Sequence, residues 1–357
     1  MDNKGLLFIP DISGFTRFVN ESEIEHSRYV IQELLEVLIN ANRIGLEISE
    51  IEGDAILFYK FGDAPALEQI YQQVSDMFCA FHRHLTSYDR RRYCQCEACK
   101  GAINLSLKVI SHYGEFTDYQ VQHFRKLIGK DVIVAHQLLK NDIQQHEYWL
   151  VTKKLVPDQQ PADLTQWMHW ASSAKETETG VIPFHYTMLS RLKDQLPPEP
   201  AAEPDLSDKV KIISVSKEYE TNFIRLFHAT GDFNQRDKWL EGVKKVETTG
   251  PLLPRVGMKC RYILENDEAI IKSTSINFNT ELIRFSETEE KKHITSLYTL
   301  EKTSETTGRF TLDIYLRKNI IAQLLFNVTG KHKMEQNLQK SLANLEKLLL
   351  KMNVPAA

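Results

Sequence analysis

Apolar positions recur along this chain with two periods, and the period changes mark its elements. Between residues 22 and 43, Ile24, Tyr29, Ile31, Leu34, Leu35, Leu38 and Ile39 fall mostly three and four apart, which predicts an amphipathic helix. The same spacing through Leu67, Ile70, Tyr71, Val74, Met77, Phe78 and Phe81 predicts a second helix over 64–85. Elsewhere the period is two. Ile103, Leu105, Leu107 and Val109 share one face of a strand over 102–111, with 119–124 as its partner across a loop. An apolar run at 6–9 predicts a strand that leads into a helix from about Phe18. Apolar segments at 45–50 and 55–59 flank Gly53-Asp54 and read as a hairpin. A helix over 129–140, a strand at 148–151, a helix over 164–174 carrying Trp167 and Trp170, and a strand at 181–189 complete the first half.

Residues 196–205 break the pattern. Four prolines and three acids make this stretch an extended, semi-rigid linker with nothing to bury. It divides the chain into domains at 1–193 and 208–357, joined by 194–207. The second half opens with a strand over 210–216 and a short helix over 219–228. Segments rich in β-branched and aromatic residues follow in hairpin order at 258–265, 268–276, 280–286, 293–302 and 308–315. A long terminal helix places Met334, Leu338, Leu342, Leu345, Leu349 and Met352 on one stripe. Three heptads are marginal for a coiled coil, so the stripe is expected to dock on its own sheet.

With 357 residues, 42% hydrophobic and 26% charged, the chain is long enough for two domains with separate cores. A formal net charge of −4 gives no broad basic field for nucleic acid or anionic lipid. The start has no signal-peptide apolar region and no run approaches a membrane span, so the cytoplasm is the expected compartment. Three of the five cysteines, Cys94, Cys96 and Cys99, are clustered. In a reducing compartment that spacing suits a structural Zn2+ site if a fourth ligand arrives, with Cys79, His82 and His84 nearest in sequence; three free thiols on a loop is the equal alternative. Arg90, Arg91 and Arg92 read as a solvated turn, and His112, His123 and His136 as residues serving the fold or the surface.

The chemistry concentrates at two acids. Phe8-Ile9-Pro10-Asp11-Ile12-Ser13-Gly14-Phe15-Thr16 delivers a carboxylate from a strand to a tight turn at a helix entrance, where free N–H groups favour phosphate. Asp54 lies in the hairpin turn after Glu50-Ile51-Glu52-Gly53. If the first strand pairs with this hairpin, Asp11 and Asp54 meet and can hold Mg2+ or Mn2+ bridging to a polyphosphate.

This pair of motifs resembles the class III adenylyl and guanylyl cyclase catalytic domain. The resemblance continues through Leu107-Lys108-Val109-Ile110-Ser111-His112-Tyr113-Gly114-Glu115 and Gly129-Lys130-Asp131-Val132-Ile133-Val134-Ala135. It implies a ferredoxin-like core in an α+β protein, catalytic metals on Asp11 and Asp54, and a nucleotide site drawing on Ile12, Gly14, Phe15, Thr16, Glu50 and Lys126. Glu50 falls at a base-selecting position, where glutamate is similar to the guanine-preferring version; Lys126 replaces the family's base-reading acid. Ile133 and Gln137 stand where active members carry an Asn and an Arg. Isoleucine offers no donor to developing charge, and losing one such donor costs about 100- to 1000-fold in rate. The expectation is therefore a regulatory or weakly active protein that binds nucleotide and metal. The alternative is an active homodimeric cyclase in which Lys126, Lys130 or Lys140 supplies the missing contacts; a pair of modules with neither site in use is the third reading.

The second half resembles the helix-grip fold of the START-like and polyketide-cyclase-like superfamily, in its element order, in Lys238-Trp239-Leu240-Glu241-Gly242-Val243 and in Arg255-Val256-Gly257-Met258. That resemblance implies a small hydrophobic ligand, with Tyr262, Phe278, Phe285, Tyr298, Phe310, Tyr315 and Phe326 as inward candidates that serve equally as core.

Overall fold

The computed structural model describes residues 3–22, 24–92, 96–122, 124–156, 161–177, 180–197, 204–249, 256–278, 281–318 and 330–352. The chain forms two compact units, one of residues 1–89 with 96–199, the other of 90–95 with 200–357.

The first unit begins with β1 (Lys4–Ser13), whose residues after Lys4 are all buried. This is why it reads as an unbroken apolar run: a strand covered on both faces shows no alternation. Helices α1 (Phe15–Glu21) and α2 (Ile24–Asn40) follow, then the hairpin β2 (Glu47–Glu52) and β3 (Ala55–Phe61), helix α3 (Leu67–Arg91), the short α4 (Glu97–Gly101) and β4 (Ser106–Glu115). The strands stand in the order β2-β3-β1-β4 with every neighbour antiparallel. A βαββαβ chain in that order is a ferredoxin-like core. Beyond β4 the sheet continues through β7 (Tyr148–Thr152), β9 (Gly180–Met188) and β8 (Ala171–Thr177), with β4 and β7 parallel. Helix α5 (Lys130–Leu139) buries Val132, Val134, Ala135 and Leu138 against Leu7, Ile9, Leu57, Ile110 and Leu150 of the sheet.

Three expectations are corrected between residues 90 and 174. No helix forms over 164–174. Residues 164–170 are irregular and β8 begins at Ala171. Trp170 packs on Trp149 at 5.3 Å and its indole N–H donates to the Ala162 carbonyl, so tertiary contacts override the local pattern. Residues 119–124 do not pair with β4; β5 (Thr117–Val121) and β6 (Phe124–Ile128) form their own ribbon, turned by Gln122 at φ 54°. The helix expected over 22–43 forms over Ile24–Asn40, after the separate α1. Arg90 and Arg91 are the last turn of α3, where cations complement the helix dipole, and Arg92 is buried; none forms a separate solvated turn.

The second unit is a single antiparallel sheet of seven strands, β10 (Lys209–Tyr219), β16 (Gly308–Arg317), β15 (Thr295–Lys302), β14 (Leu282–Glu289), β13 (Glu268–Phe278), β12 (Lys259–Ile263) and β11 (Lys245–Thr249), in that spatial order. Two short helices, α6 (Phe223–Gly231) and α7 (Arg236–Trp239), connect β10 to β11, and the long α8 (Lys331–Lys351) closes the chain. The stripe on α8 docks as its period requires: Leu338, Leu342, Leu345 and Leu349 enter the core with Val215, Leu226 and Leu312. Tyr219 Oη donates to the Leu342 carbonyl at 2.9 Å, and the Arg225 guanidinium donates to the Leu349 carbonyl at 2.7 Å. The second bond satisfies one of the carbonyls that a helix end leaves open.

Candidate functional site

Asp11 is the last acid of β1 before the turn, and its register places it between Ala55 of β3 and Lys108 of β4. The hairpin turn is tied to the same spot, because the Ile12 amide donates to the Asp54 carbonyl at 3.0 Å. Gly14 adopts φ 90° as α1 begins and Gly53 adopts φ 60° in the hairpin, conformations that glycine takes without strain. These turns hold both carboxylates in a cleft of about 540 Å³. Its walls include Ile12, Gly14, Phe15, Thr16, Glu50, Glu52, Lys108, His136, Lys140 and His146.

Burial and crowding set the charge state of the pair. Asp54 is pushed up to about 6, first by burial and then by the charge of Asp11. Asp11 is also raised, by burial, against the opposing pull of Lys108, whose Nζ lies 3.5 Å from Oδ2. Two carboxylates, one of which raises the proton affinity of the other, are served by Lys108 and are short of positive charge. A hard divalent cation with oxygen ligands fits that donor set. The buried Ser13 hydroxyl at the end of the same strand has no hydrogen-bond partner.

The base-recognition candidates are engaged with each other. Lys126 Nζ forms an ion pair with Glu50 Oε2. His136 Nε2 lies 3.6 Å from the other oxygen of Glu50, and its Nδ1 lies 4.0 Å from Glu52. His136 of α5 and Lys140, the residue that caps the end of that helix, both line the cleft. Ile133 and Gln137 occupy a neighbouring stripe: Ile133 is 54% exposed, and Gln137 Oε1 is buried with no hydrogen-bond partner. Of the three lysines considered as replacements for the missing donors, Lys140 reaches the cleft. Lys126 is paired, and Lys130 lines a separate pocket beside Asp131 and Lys154.

Lys108, Glu52, His136 and His146 belong to the cleft and were not singled out as site residues from sequence. Lys108 carried a signal, since a lysine in the middle of an apolar strand must reach a partner or solvent. His112 serves the fold, as expected: it is buried between Thr152 Oγ1 at 2.7 Å and Asp131 Oδ1 at 2.9 Å. Burial pushes the Asp131 carboxyl upward, but bonds from His112, Lys154 and the Glu115 amide outweigh it and hold the group below the usual carboxylate range. His123 lies outside the described residues.

Cys96 and Cys99 stand together at α4, while Cys94 lies outside the described residues. The residue that joins them in space is His26 of α2, not Cys79, His82 or His84. His82 and His84 approach carboxylates instead, Glu147 at 3.5 Å and Glu33 at 3.3 Å.

In the second unit, Tyr262, Phe285, Tyr298 and Phe310 are buried. Phe285 stacks on Tyr298 with centroids 4.5 Å apart, and Tyr298 stacks in turn on Phe310 at 6.1 Å. Tyr315 is corrected: Phe310, Leu312, Ile314 and Leu316 are the buried series of β16, so Tyr315 falls on the alternate face, half-buried, with Lys211 Nζ 5.9 Å from its ring centre. Phe326 and the side chain of Phe278 lie outside what the structure describes. Sequence reading missed Arg236. Its guanidinium is fully buried, pairs with Glu287 Oε1 at 2.6 Å and donates to Tyr298 Oη at 2.8 Å.

Comparison with known proteins gives three kinds of likeness. A family model described as a protein of unknown function, DUF2652, matches residues 31–148. That stretch holds Asp54, Lys108, Cys96 and Cys99 but not Asp11. An uncharacterized protein of Mycobacterium tuberculosis (strain ATCC 25618 / H37Rv), Rv2561/Rv2562, is 31% identical over 120 residues, which is 34% of this chain and 56% of that protein. The chain thus spans little more than half the length of the relative it matches. Among solved structures, the catalytic core of a rhodopsin-guanylyl cyclase with converted specificity, in complex with ATPalphaS, is similar at 13% identity and TM-score 0.38, covering 52% of this chain and 96% of that one. The non-canonical dimeric guanylyl cyclase domain of the RhoGC fusion protein from the aquatic fungus Blastocladiella emersonii has 13% identity and TM-score 0.36, over 52% and 96%. The adenylyl cyclase CyaB from P. aeruginosa has 16% identity and TM-score 0.34, over 53% and 95%. Among the described residues, no helix is long and apolar enough to cross a membrane.

Proposed function

We propose that the first unit binds a nucleoside triphosphate through Mg2+ or Mn2+ at Asp11 and Asp54, and that it regulates more than it catalyses. The observation that carries this reading is the meeting of the two carboxylates with Lys108 beside the Gly14 turn, in a cleft of about 540 Å³. The cation would supply the charge that holds a polyphosphate there; Lys108 and Lys140 would face its oxygens, and the Gly14–Thr16 turn would offer backbone N–H groups. The weakness in turnover follows from Ile133, which has no donor, and from the Glu50–Lys126 pair, which neutralises both base-reading side chains. Like the family it resembles, this unit would act as a homodimer in the cytoplasm. The second unit, in this reading, is a helix-grip module for a small hydrophobic ligand, supported by its strand order and the docked α8.

Titration calorimetry of the full chain with ATP or GTP and Mn2+ is the direct test. Metal-dependent heat that disappears in Asp54→Ala is expected, with little or no cyclic product. The absence of any such heat rejects the binding reading. The second reading, an active homodimeric cyclase making cAMP or cGMP, is favoured by the presence of Lys140 in the cleft. Turnover of about 1 per second or more, abolished by the same substitution, would establish it and remove the regulatory reading.

A further inference from the structure

We infer that His26, Cys96 and Cys99 supply three of the four ligands of a tetrahedral zinc site that fastens the start of α2 to the start of α4. Nδ1 of His26 lies 3.2 Å from Cys96 Sγ and 3.5 Å from Cys99 Sγ, and the three ligand atoms all lie within 4.8 Å of one another. Zinc bonds of about 2.0–2.1 Å to nitrogen and 2.3 Å to sulfur, at tetrahedral angles, require N···S separations of about 3.5 Å and S···S separations of about 3.8 Å. The Cys99 separation of 3.5 Å meets the first requirement, the Cys96 separation of 3.2 Å lies slightly inside it, and the two sulfurs are within the 4.8 Å bound. The three residues come from segments about seventy positions apart, so local chain geometry alone does not gather them.

The surroundings are those of a metal-thiolate group. The Cys99 amide donates to Cys96 Sγ at 3.4 Å, and Tyr88 Oη of α3 donates to Cys99 Sγ at 3.0 Å. Donors aimed at sulfur stabilise a thiolate and fix its orientation, as outer-shell partners of metal ligands do. Cys99 is fully buried, so a lone thiolate there would be costly and a cation offsets it. On coordination each thiol releases its proton, and the neutral imidazole gives its Nδ1 lone pair.

The site acts on the fold near the cleft without joining it. Gly101, at the end of α4, lies against the ring of Phe18 in α1, the helix that begins at the cleft turn. Zinc would hold α4 in place behind α1. These ligands are distinct from Asp11 and Asp54, so the inference stands or falls separately from the nucleotide reading.

The experiment is elemental analysis of the full chain purified without added metal, followed by replacement with Co2+. About one zinc per chain is expected, unchanged in Asp54→Asn and lost in His26→Ala and Cys96→Ser. The cobalt-loaded wild type should show sulfur-to-cobalt charge-transfer bands and the strong visible bands of a tetrahedral centre, and this readout needs no variant to fold. A wild-type chain that carries no stoichiometric zinc and takes up Co2+ without thiolate bands would overturn the inference. So would full retention of zinc in both substituted chains.

Discussion

Lys108 Nζ stands 3.5 Å from Asp11 Oδ2, across the β1–β4 pair that register alone places opposite each other. The lysine thus occupies the carboxylate a divalent cation would claim. In Lys108→Met the competitor is gone, and Mn2+ alone should bind a few-fold more tightly, since a partly exposed ion pair is worth up to about 1 kcal/mol. ATP or GTP with Mn2+ should bind more weakly, because a phosphate contact is lost. Paired calorimetry with metal alone and with metal-nucleotide separates the two; a change of the same sign in both refutes this role.

Asp54 costs stability where it is ionised. Its folded pKa of about 6 lies above the ordinary 3.8, so the folded chain holds the proton more tightly than the unfolded one. The stability this contributes is fully present below about 4 and is lost as pH rises through 6. Asp54→Asn should therefore be more stable than wild type at pH 8, by about 1 kcal/mol once the half-exposed side chain is allowed for, with the gap closing between pH 6 and 4. Saturating Mn2+ should raise the wild type and leave the variant unchanged. Thermal unfolding against pH checks both, and a gap that widens toward acid contradicts the assignment.

Gly114 leaves the space that the Asp131 carboxylate fills. A Cβ there would lie 2.2 Å from Asp131 Cγ. Gly114→Ala must push Asp131 off His112 and the Glu115 amide, and we expect a loss of about 2 kcal/mol or more. Hydrogen exchange of the β4 amides should accelerate accordingly; unchanged protection would mean that the network tolerates the displacement.

The second unit carries an ionic pair inside an aromatic shell. Arg236 lies 4.7 Å from the Tyr298 ring centre and 5.5 Å from that of Phe233, while holding Glu287. Arg236→Met strands a buried carboxylate and should cost about 3–5 kcal/mol, whereas Arg236→Met with Glu287→Leu should recover most of it. Exchange protection of β14 reads both variants. A double variant no better than the single would assign the effect to lost packing around the guanidinium rather than to the unpaired charge.

Local pattern was enough for much of this molecule, because burial on one face imprints a period on the residues that make it. The α8 stripe, the β13–β16 ladder and the Gly-Asp hairpin all follow that rule, and the spacing of Asp11 and Asp54 gave away a shared destination once the strands were placed. It failed where distant contacts decide. Trp167 and Trp170 mimic a helical face, but Trp170 packs on Trp149 from an irregular segment. Arg236, between Gln235 and Asp237, is indistinguishable in sequence from a solvated turn residue, and its burial depends on distant partners, Glu287 fifty-one positions on and Tyr298 beyond it.

The chain's order of apolar and polar residues by itself marked the break near residues 196–205, most of the strands and helices on either side of it, and the two acids, one ahead of the first turn and one in the hairpin. Tertiary structure alone decided which cations answer those acids, that Glu50 is taken by Lys126, and that His26 rather than a nearer histidine meets Cys96 and Cys99. The reason is physical: periodicity records which face of an element is dry, whereas a charge or a ligand set is satisfied by whichever side chain the folded chain brings within a few ångströms.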